Sequence, residues 1–495
     1  MFAAARAAFG EVTAFLSAAE GLSATHADLE RELAARMREV TRVLYQDHLA
    51  LREMLEQRTT QVVLDADGIE RNRIERHRTT SLDTVFGPVA VYRIAYRGDY
   101  VHDLHLMDVA LNLPSTKASH GVAYKAASEA VRGSFAEATA RVRTECNIRI
   151  GPRQVEELTV AAAGDIEDFY RHKVQIPASR DTALILTFDG KGIVMRAEAL
   201  RPETAKAAAA KGSNTYGSRL ASGEKKGRKR MAEIAAVYDI EPVVREAIDI
   251  LPEPDQDHIP EVGPVAFNKW LTGSVSQDAA SVVRTAFDHA HARDPKHTRA
   301  WVVLLDGNNH QIELAKTEAK RKKVKITIIV DFIHVLEYLW KAAWCLYRSG
   351  DPAAESFVAA YGREILAGNT REAIEHLDQA AREAGLGDTA RAGIDTAIGY
   401  LTAKAPYLHY DTALAAGYPI ATGIIEGACR HLVKDRMDIT GARWSLDGAE
   451  AVLLLRALRS NGDFDTYWTY HEAREYERNH LARFRDGKIP ISPSS

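Results

Sequence analysis

The chain has 495 residues, 46% hydrophobic and 27% charged, with a net charge of −4; that length and composition predict two to four globular domains. With no run of about 18 uncharged apolar residues, neither a membrane-spanning helix nor a signal peptide is expected. Cys146, Cys345 and Cys429 are scattered and odd in number, which supports neither a disulfide framework nor a zinc ribbon and fits a reducing, cytoplasmic location.

Residues 1–80 read as amphipathic helix. Over 23–57, Leu29, Leu33, Met37, Val40 and Leu44 recur at helical steps, a pattern suited to packing or dimerisation. In 81–118, a strand-like stretch at 82–97 surrounds the turn signal Phe86-Gly87-Pro88, predicting a β-hairpin followed by an irregular segment. Residues 119–175 return to helix. Ser134 with Glu137 forms a capping box for Ser134–Glu145, and Pro152 suits the first turn of Pro152–Ala163. Two helices across so short a link match a helix-turn-helix, which would put Arg153 and Gln154 where phosphates or base edges are reached.

From 183 the pattern is α/β. ALILTFDG reads as a first strand ending at Asp189-Gly190, GIVMRAEAL as its antiparallel partner and MAEIAAVYDI as a third strand. A helix over 277–292 precedes a fourth strand, Ala300–Leu305, which runs into Asp306-Gly307. A helix over 308–319 and a fifth strand, Val324–Val330, follow. Three strands, helix, strand, helix, strand is the RNase H-like order, assigned to 176–334. Residues 335–418 read as an all-helical insertion. Residues 419–475 supply the core's final helices, the first carrying Glu426, and 476–495 are a polar tail.

Local charge matters more than the total. Arg196–Arg230 holds ten Lys/Arg against three Glu, including Lys225, Lys226, Arg228, Lys229 and Arg230. Such runs suit a phosphate backbone, and also suit a solvated loop. After Glu426 come Arg430, Lys434, Arg436, Arg443 and Trp444. Arg430 and Lys434 share a helix face if the segment is α-helical. Trp444 fits either stacking on an unpaired base or a place in the core.

In this topology Asp189 and Asp306 end adjacent strands, and Glu426 on the final helix completes a triad. At about 4 Å and an effective dielectric near 20, each pair of like charges costs roughly 4 kcal/mol, so the cluster needs a neutralising partner. Hard oxygen ligands suit two Mg²⁺ or Mn²⁺ ions, whose chemistry cuts and joins phosphodiesters. Asp331, just after the fifth strand, is the rival for the second position, and His334 beside it can orient an acid or be structural.

The stretches LTFDGKG, WVVLLDGNNHQIELA, DFIHVLEYLWKAAW and GIIEGACRHLVKDRMDITGARWSLDGAEAVLLLRAL resemble bacterial insertion-sequence transposases of the ISKra type. So do SLDTVFGPVAVYRIAYR and LMDVALNLPSTKASHGVAYKAA, and the likeness spans roughly residues 80–470. It implies an Asp-Asp-Glu transposase with Asp189, Asp306 and Glu426 as the triad. It also implies kinship with the hAT and Mutator-like superfamilies, whose helical insertion and Cys/Asp-x-x-His motif match Asp331 and His334. Many such relatives carry cysteine pairs after the hairpin. YRGDYVHDLHLMD has none, only His102 and His105, so a structural zinc is not expected. The expected partner is double-stranded DNA, both element ends and target, bound by a homodimer or higher oligomer near the bacterial nucleoid. An RNase H-like nuclease without strand transfer, and an inactive or domesticated DNA-binding regulator, are the alternatives.

Overall fold

The computed structural model describes residues 2–175, 178–210, 229–253, 258–439 and 441–490. The chain forms two compact units, Met1–His172 with Asp463–Ser495, and Lys173–Gly462. The segment from Asp463 onward thus groups with the first unit, whereas the sequence reading carried the core through 475.

In the first unit the long amphipathic helix is α1 (His26–Leu55), begun by the Thr25 side chain accepting from the Asp28 amide. Its buried Leu49 packs with Leu82, Val89 and Val91 of the hairpin. Gln46 locks the pairing by both donating to and accepting from the Ala90 backbone. The hairpin is β1 (Arg73–Thr84) and β2 (Gly87–Arg97), antiparallel. Its first strand begins well before residue 82. That extension, RIERHRTTS, faces solvent along most of its length and so carries no alternating apolar signal.

Helices α2 (Phe135–Cys146) and α3 (Pro152–Ala163) form as expected. The Ser134–Glu137 capping box starts α2, Asn147 in the left-handed region ends it, and Pro152 opens α3. With the helix His120–Ala130 they share a core of Val122, Ala126, Ala138, Val142, Cys146 and Val155.

The second unit is mixed α/β. Its strands are β3 (Ala183–Val194), β4 (Lys229–Ile240), β5 (Ala266–Ser274), β6 (Trp301–Leu305) and β7 (Ile326–Val330). They form one sheet in the order β5-β4-β3-β6-β7. β3–β4 and β4–β5 pair antiparallel, β3–β6 and β6–β7 parallel. Ala183 to Phe188 of the central strand are all buried, the near-continuous apolar run expected of a strand covered on both faces.

Two strand assignments change. β3 runs straight through Asp189-Gly190 to Val194, so the expected first and second strands are one. Gly190 reads as a turn in the sequence, but in the fold it sits opposite Glu233 in the ladder. A Cβ there would meet Met231 Cε at 2.9 Å and Glu233 Oε2 at 3.1 Å, so glycine admits these side chains across the strand. The third strand is β5, AFNKWLTGS, which the sequence reading missed. As an edge strand with Asn, Lys and Gly, half of it solvent-accessible, it lacks the apolar density of the others.

Helix α4 (Ala279–Arg293) packs on β3, β4 and β5, and α5 (Asn309–Lys322) on β6 and β7. The insertion comprises α6 (Phe332–Leu346), Pro352–Leu366, Thr370–Glu383, α7 (Ala392–Lys404) and Tyr410–Ala415. The Tyr410 hydroxyl ties its end to the sheet by donating to Val330 O at 2.7 Å. The chain returns to the sheet in α8 (Gly423–Ala428), against β3 and β4, and in α9 (Leu446–Ser460), against β5.

Candidate metal centre

The parallel ladders set three aspartates in one row. Thr187 pairs with Leu304 and Leu305 with Val330. Two residues past the first pair stand Asp189 and Asp306; one past the second stand Asp306 and Asp331. The Asp331 amide continues the ladder onto Leu305 O at 2.7 Å. Adjacent strands lie about 4.8 Å apart, so the backbone alone brings these acids together at one end of the sheet.

Asp331 is the most constrained of the three. It is fully buried and caps α6, its Oδ1 accepting from the Ile333 amide at 3.0 Å. Its Oδ2 faces His334 Nδ1 at 2.9 Å and accepts from the Thr422 hydroxyl at 2.6 Å. The same hydroxyl lies 2.9 Å from Glu426 Oε1. One ligand atom each from Asp331, His334 and Glu426 lies within 4.8 Å of the others, the group able to hold a metal ion among the described residues. The Asp331 hydrogen bond raises the His334 pKa, burial opposes it, and the nearby charges of Asp306 and Glu337 add to the rise.

Asp189 and Asp306 stand outside that tight group. Asp189 is half-buried, its Oδ1 accepting from the Gly190 amide at 2.6 Å. The Cys429 thiol, three residues after Glu426, lies near it; burial pushes that thiol's pKa up, and the neighbouring Asp189 charge pushes it further. Glu233 is a second acid here, its pKa raised by burial and by Asp189, with Arg201 and His310 opposing. Asp306 opens a tight loop in which its Oδ1 accepts from the Asn308 amide at 2.9 Å. The returning segment therefore reaches both groups, Glu426 on α8 toward Asp331 and Cys429, just past the end of α8, toward Asp189. Thr422, Cys429 and Glu233 are absent from the sequence assignment. Thr422 and Cys429 carried a usable signal, lying four residues before and three after Glu426, at helical neighbour spacing.

The segment after Glu426 departs from the expected α-helix. Cys429–Lys434 is a π-helix, a form that recurs at functional sites. Its opened carbonyls are capped by one side chain: Arg456 Nε donates to Leu432 O at 2.9 Å and Arg456 Nη2 to His431 O.

The residues expected to bind DNA divide. Arg430, Lys434 and Arg443 are exposed. Trp444 is buried, donates from Nε1 to Met437 O at 2.9 Å and carries the Arg436 guanidinium 4.7 Å above its ring. Both side chains are buried, so of the two places expected for Trp444 the ring takes the one in the core, and Arg436, expected to meet phosphate, lies against it. Arg230 spends its guanidinium on the carbonyls of Val275, Ala199 and Ser276, and Lys229 pairs with Asp438 at 3.1 Å. Lys225, Lys226 and Arg228 lie outside the described residues. In the first unit Arg153 is exposed and pairs with Glu157 at 3.0 Å, while Gln154 Oε1 accepts from the Gly151 amide at 2.9 Å, serving as a helix cap. Among the described residues no helix is long and apolar enough to cross a membrane.

No curated protein matches the chain. The sequence model of an uncharacterised protein family, UPF0236, matches residues 22–186, from just before α1 through the hairpin, α2 and α3 to the opening of β3.

Proposed function

We propose that this chain is a DNA transposase whose second unit is an RNase H-like core, cutting and rejoining phosphodiesters with Asp189, Asp306 and Glu426 as its acids and Asp331 and His334 beside them. The observation that carries the reading is the row of Asp189, Asp306 and Asp331 on adjacent strands, with Glu426 brought to the Asp331 end of it. The sheet order, three antiparallel strands followed by two parallel ones, is consistent with that core.

The donor chemistry fits a divalent cation. A threonine hydroxyl has one proton to give, yet Thr422 Oγ1 stands within hydrogen-bond distance of two carboxylates. One of those contacts lacks a proton, and a cation beside them would compensate. The carboxylates and the imidazole are hard or borderline ligands that suit Mg²⁺ or Mn²⁺. Held by the acids of this site, two such ions would activate a water or a 3′-hydroxyl and stabilise the leaving oxygen. The chain's own part is to fix the acids: the sheet sets Asp189 and Asp306, while Thr422 and His334 orient Asp331. Arg430, Lys434 and Arg443 offer exposed positive charge on the same unit for the DNA backbone. Two element ends must be held at once, so the working form is at least a dimer.

The test incubates the purified full chain with labelled duplex from the DNA flanking its coding region, with and without Mg²⁺. Cleaved and joined products support the proposal. Cleavage without joining favours the nuclease, and binding alone favours a regulator. Asp189→Asn is expected to abolish cleavage while end binding persists; equal loss of both counts against its assigned role.

A further inference from the structure

The helical insertion does more than interrupt the core. Two α7 side chains one turn apart, Tyr400 and Lys404, reach back to the loop that carries Asp306. The Tyr400 hydroxyl donates to Asp306 O at 3.4 Å. It occupies the space beside Gly307, where a Cβ would lie 2.7 Å from it, and Gly307 has a φ of 92°, which only glycine adopts readily. The Tyr400 ring is held in turn by Tyr338 of α6, stacked at 3.8 Å and 11°, with Lys341 Nζ 3.9 Å from the Tyr338 ring centroid.

Lys404 is buried, and its ammonium donates to Asn309 Oδ1 at the start of α5. Burying an ammonium is costly unless it is paired, and Asp306 is among the charges that act favourably on it. The loop's own bonds are short-range: the Asn308 amide to Asp306 Oδ1 and the His310 amide to Asn308 Oδ1, each 2.9 Å. Such turns fix local shape, not the position of the loop against the rest of the fold.

We propose that α7 is a positioning element for Asp306, with Tyr400 and Lys404 clamping residues 306–309 so that the Asp306 carboxylate keeps its place in the row with Asp189 and Asp331. The insertion is then a structural part of the site. Only the activity arm of the test depends on reading Asp306 as a catalytic acid; the structural arm needs neither DNA nor metal.

The test compares the full wild-type chain with Tyr400→Phe, Lys404→Met and the double variant by hydrogen–deuterium exchange. Peptides covering 306–310 are expected to exchange at least about tenfold faster in the double variant, while those within 301–305 keep wild-type protection. Unchanged exchange at 306–310 overturns the clamp. Because Lys404 is buried and its replacement can impair folding, Asn309→Ala removes the same bond from its exposed side; combined with Tyr400→Phe it must reproduce the faster exchange, and wild-type exchange there also overturns the proposal. In the activity arm, cleavage rate falls with little change in the DNA concentration giving half-maximal rate, and Lys404→Arg restores part of it. If the wild type does not cleave, the functional reading fails while the exchange result still decides the clamp.

Discussion

Thr422 and Asp331, 91 residues apart in sequence, meet through a 2.6 Å hydrogen bond in the interior of the second unit. Asp331 is fully buried, and removing a donor from a buried carboxylate exposes the cost of desolvating it, about 1–3 kcal/mol. Thr422→Val keeps the shape and deletes the hydroxyl. It is expected to lower unfolding stability by about that amount, measured by urea denaturation near neutral pH. Thr422→Ser, which restores the donor, should recover most of the loss. Wild-type stability in Thr422→Val would mean that this bond does not hold Asp331.

Arg456 makes a different kind of contact, to backbone. Its guanidinium caps the carbonyls of His431 and Leu432 in the π-helix that follows Glu426. A lysine ammonium is a compact point donor and does not reproduce the two-pronged geometry. Arg456→Lys should therefore leave one of the two carbonyls without this donor and cost about 1–3 kcal/mol in urea denaturation, with Arg456→Met costing more. If both variants unfold at the wild-type midpoint, the π turn is held by its own backbone.

The first unit depends on an ion pair whose carboxylate is buried while its guanidinium is partly exposed to solvent. The Asp165 carboxylate takes both Arg478 Nη atoms at 2.7 Å and faces His471 Nδ1 at 2.7 Å, joining the Ile166–His172 helix to the C-terminal helix Phe464–Asn479. Burial would raise its pKa, but Arg478 and His471 outweigh burial and hold it well below the ordinary range. A depressed carboxylate contributes stability above its unfolded pKa, about 3.9, and loses it as the pH falls through the lower folded value. Because Arg478 stays partly solvated when its partner is neutralised, Asp165→Asn should cost about 1–3 kcal/mol at neutral pH, and much less in strong acid, where the wild type also loses the charge. Limited proteolysis should then cut within 464–490 in the variant. Resistance equal to the wild type would count against the pair as the anchor of that helix.

Much of this architecture was legible where local chemistry acts alone. Ser134 with Glu137, and Pro152, announced their helices because caps are decided within one turn. Asp306 was singled out because it follows a short apolar strand. Asp189 was singled out too, although Gly190 suggested a turn that the β3–β4 ladder overrides. The limits were equally physical. β5 hid because an edge strand need not be apolar. The tight group at Asp331 hid because sequence spacing cannot tell which of two neighbouring strand ends the returning helix will meet. Trp444 offered both a stacking surface and a core residue, and the fold used the ring as core.

A final prediction concerns Glu56, just past α1. Its Oε2 accepts from the Ile94 amide at 2.7 Å, while Oε1 is buried without a hydrogen-bond partner. Burial raises its pKa to about 7, with Asp108 adding to the rise, and the Ile94 bond and Arg93 opposing it. A carboxyl whose folded pKa lies above its unfolded value binds more protons in the folded state, so the fold loses stability as the pH rises between about 4.3 and the folded value. Allowing for screening by solvent at this partly exposed group, the loss is of order 1–2 kcal/mol. Glu56→Gln keeps an acceptor for Ile94 and removes the ionisation. The variant should match the wild type near pH 4 and be more stable by about 1 kcal/mol at pH 8, read as a higher melting temperature at the upper pH alone. A variant equally stabilised at both pH values, or destabilised at pH 8, would show that Glu56 does not carry this penalty.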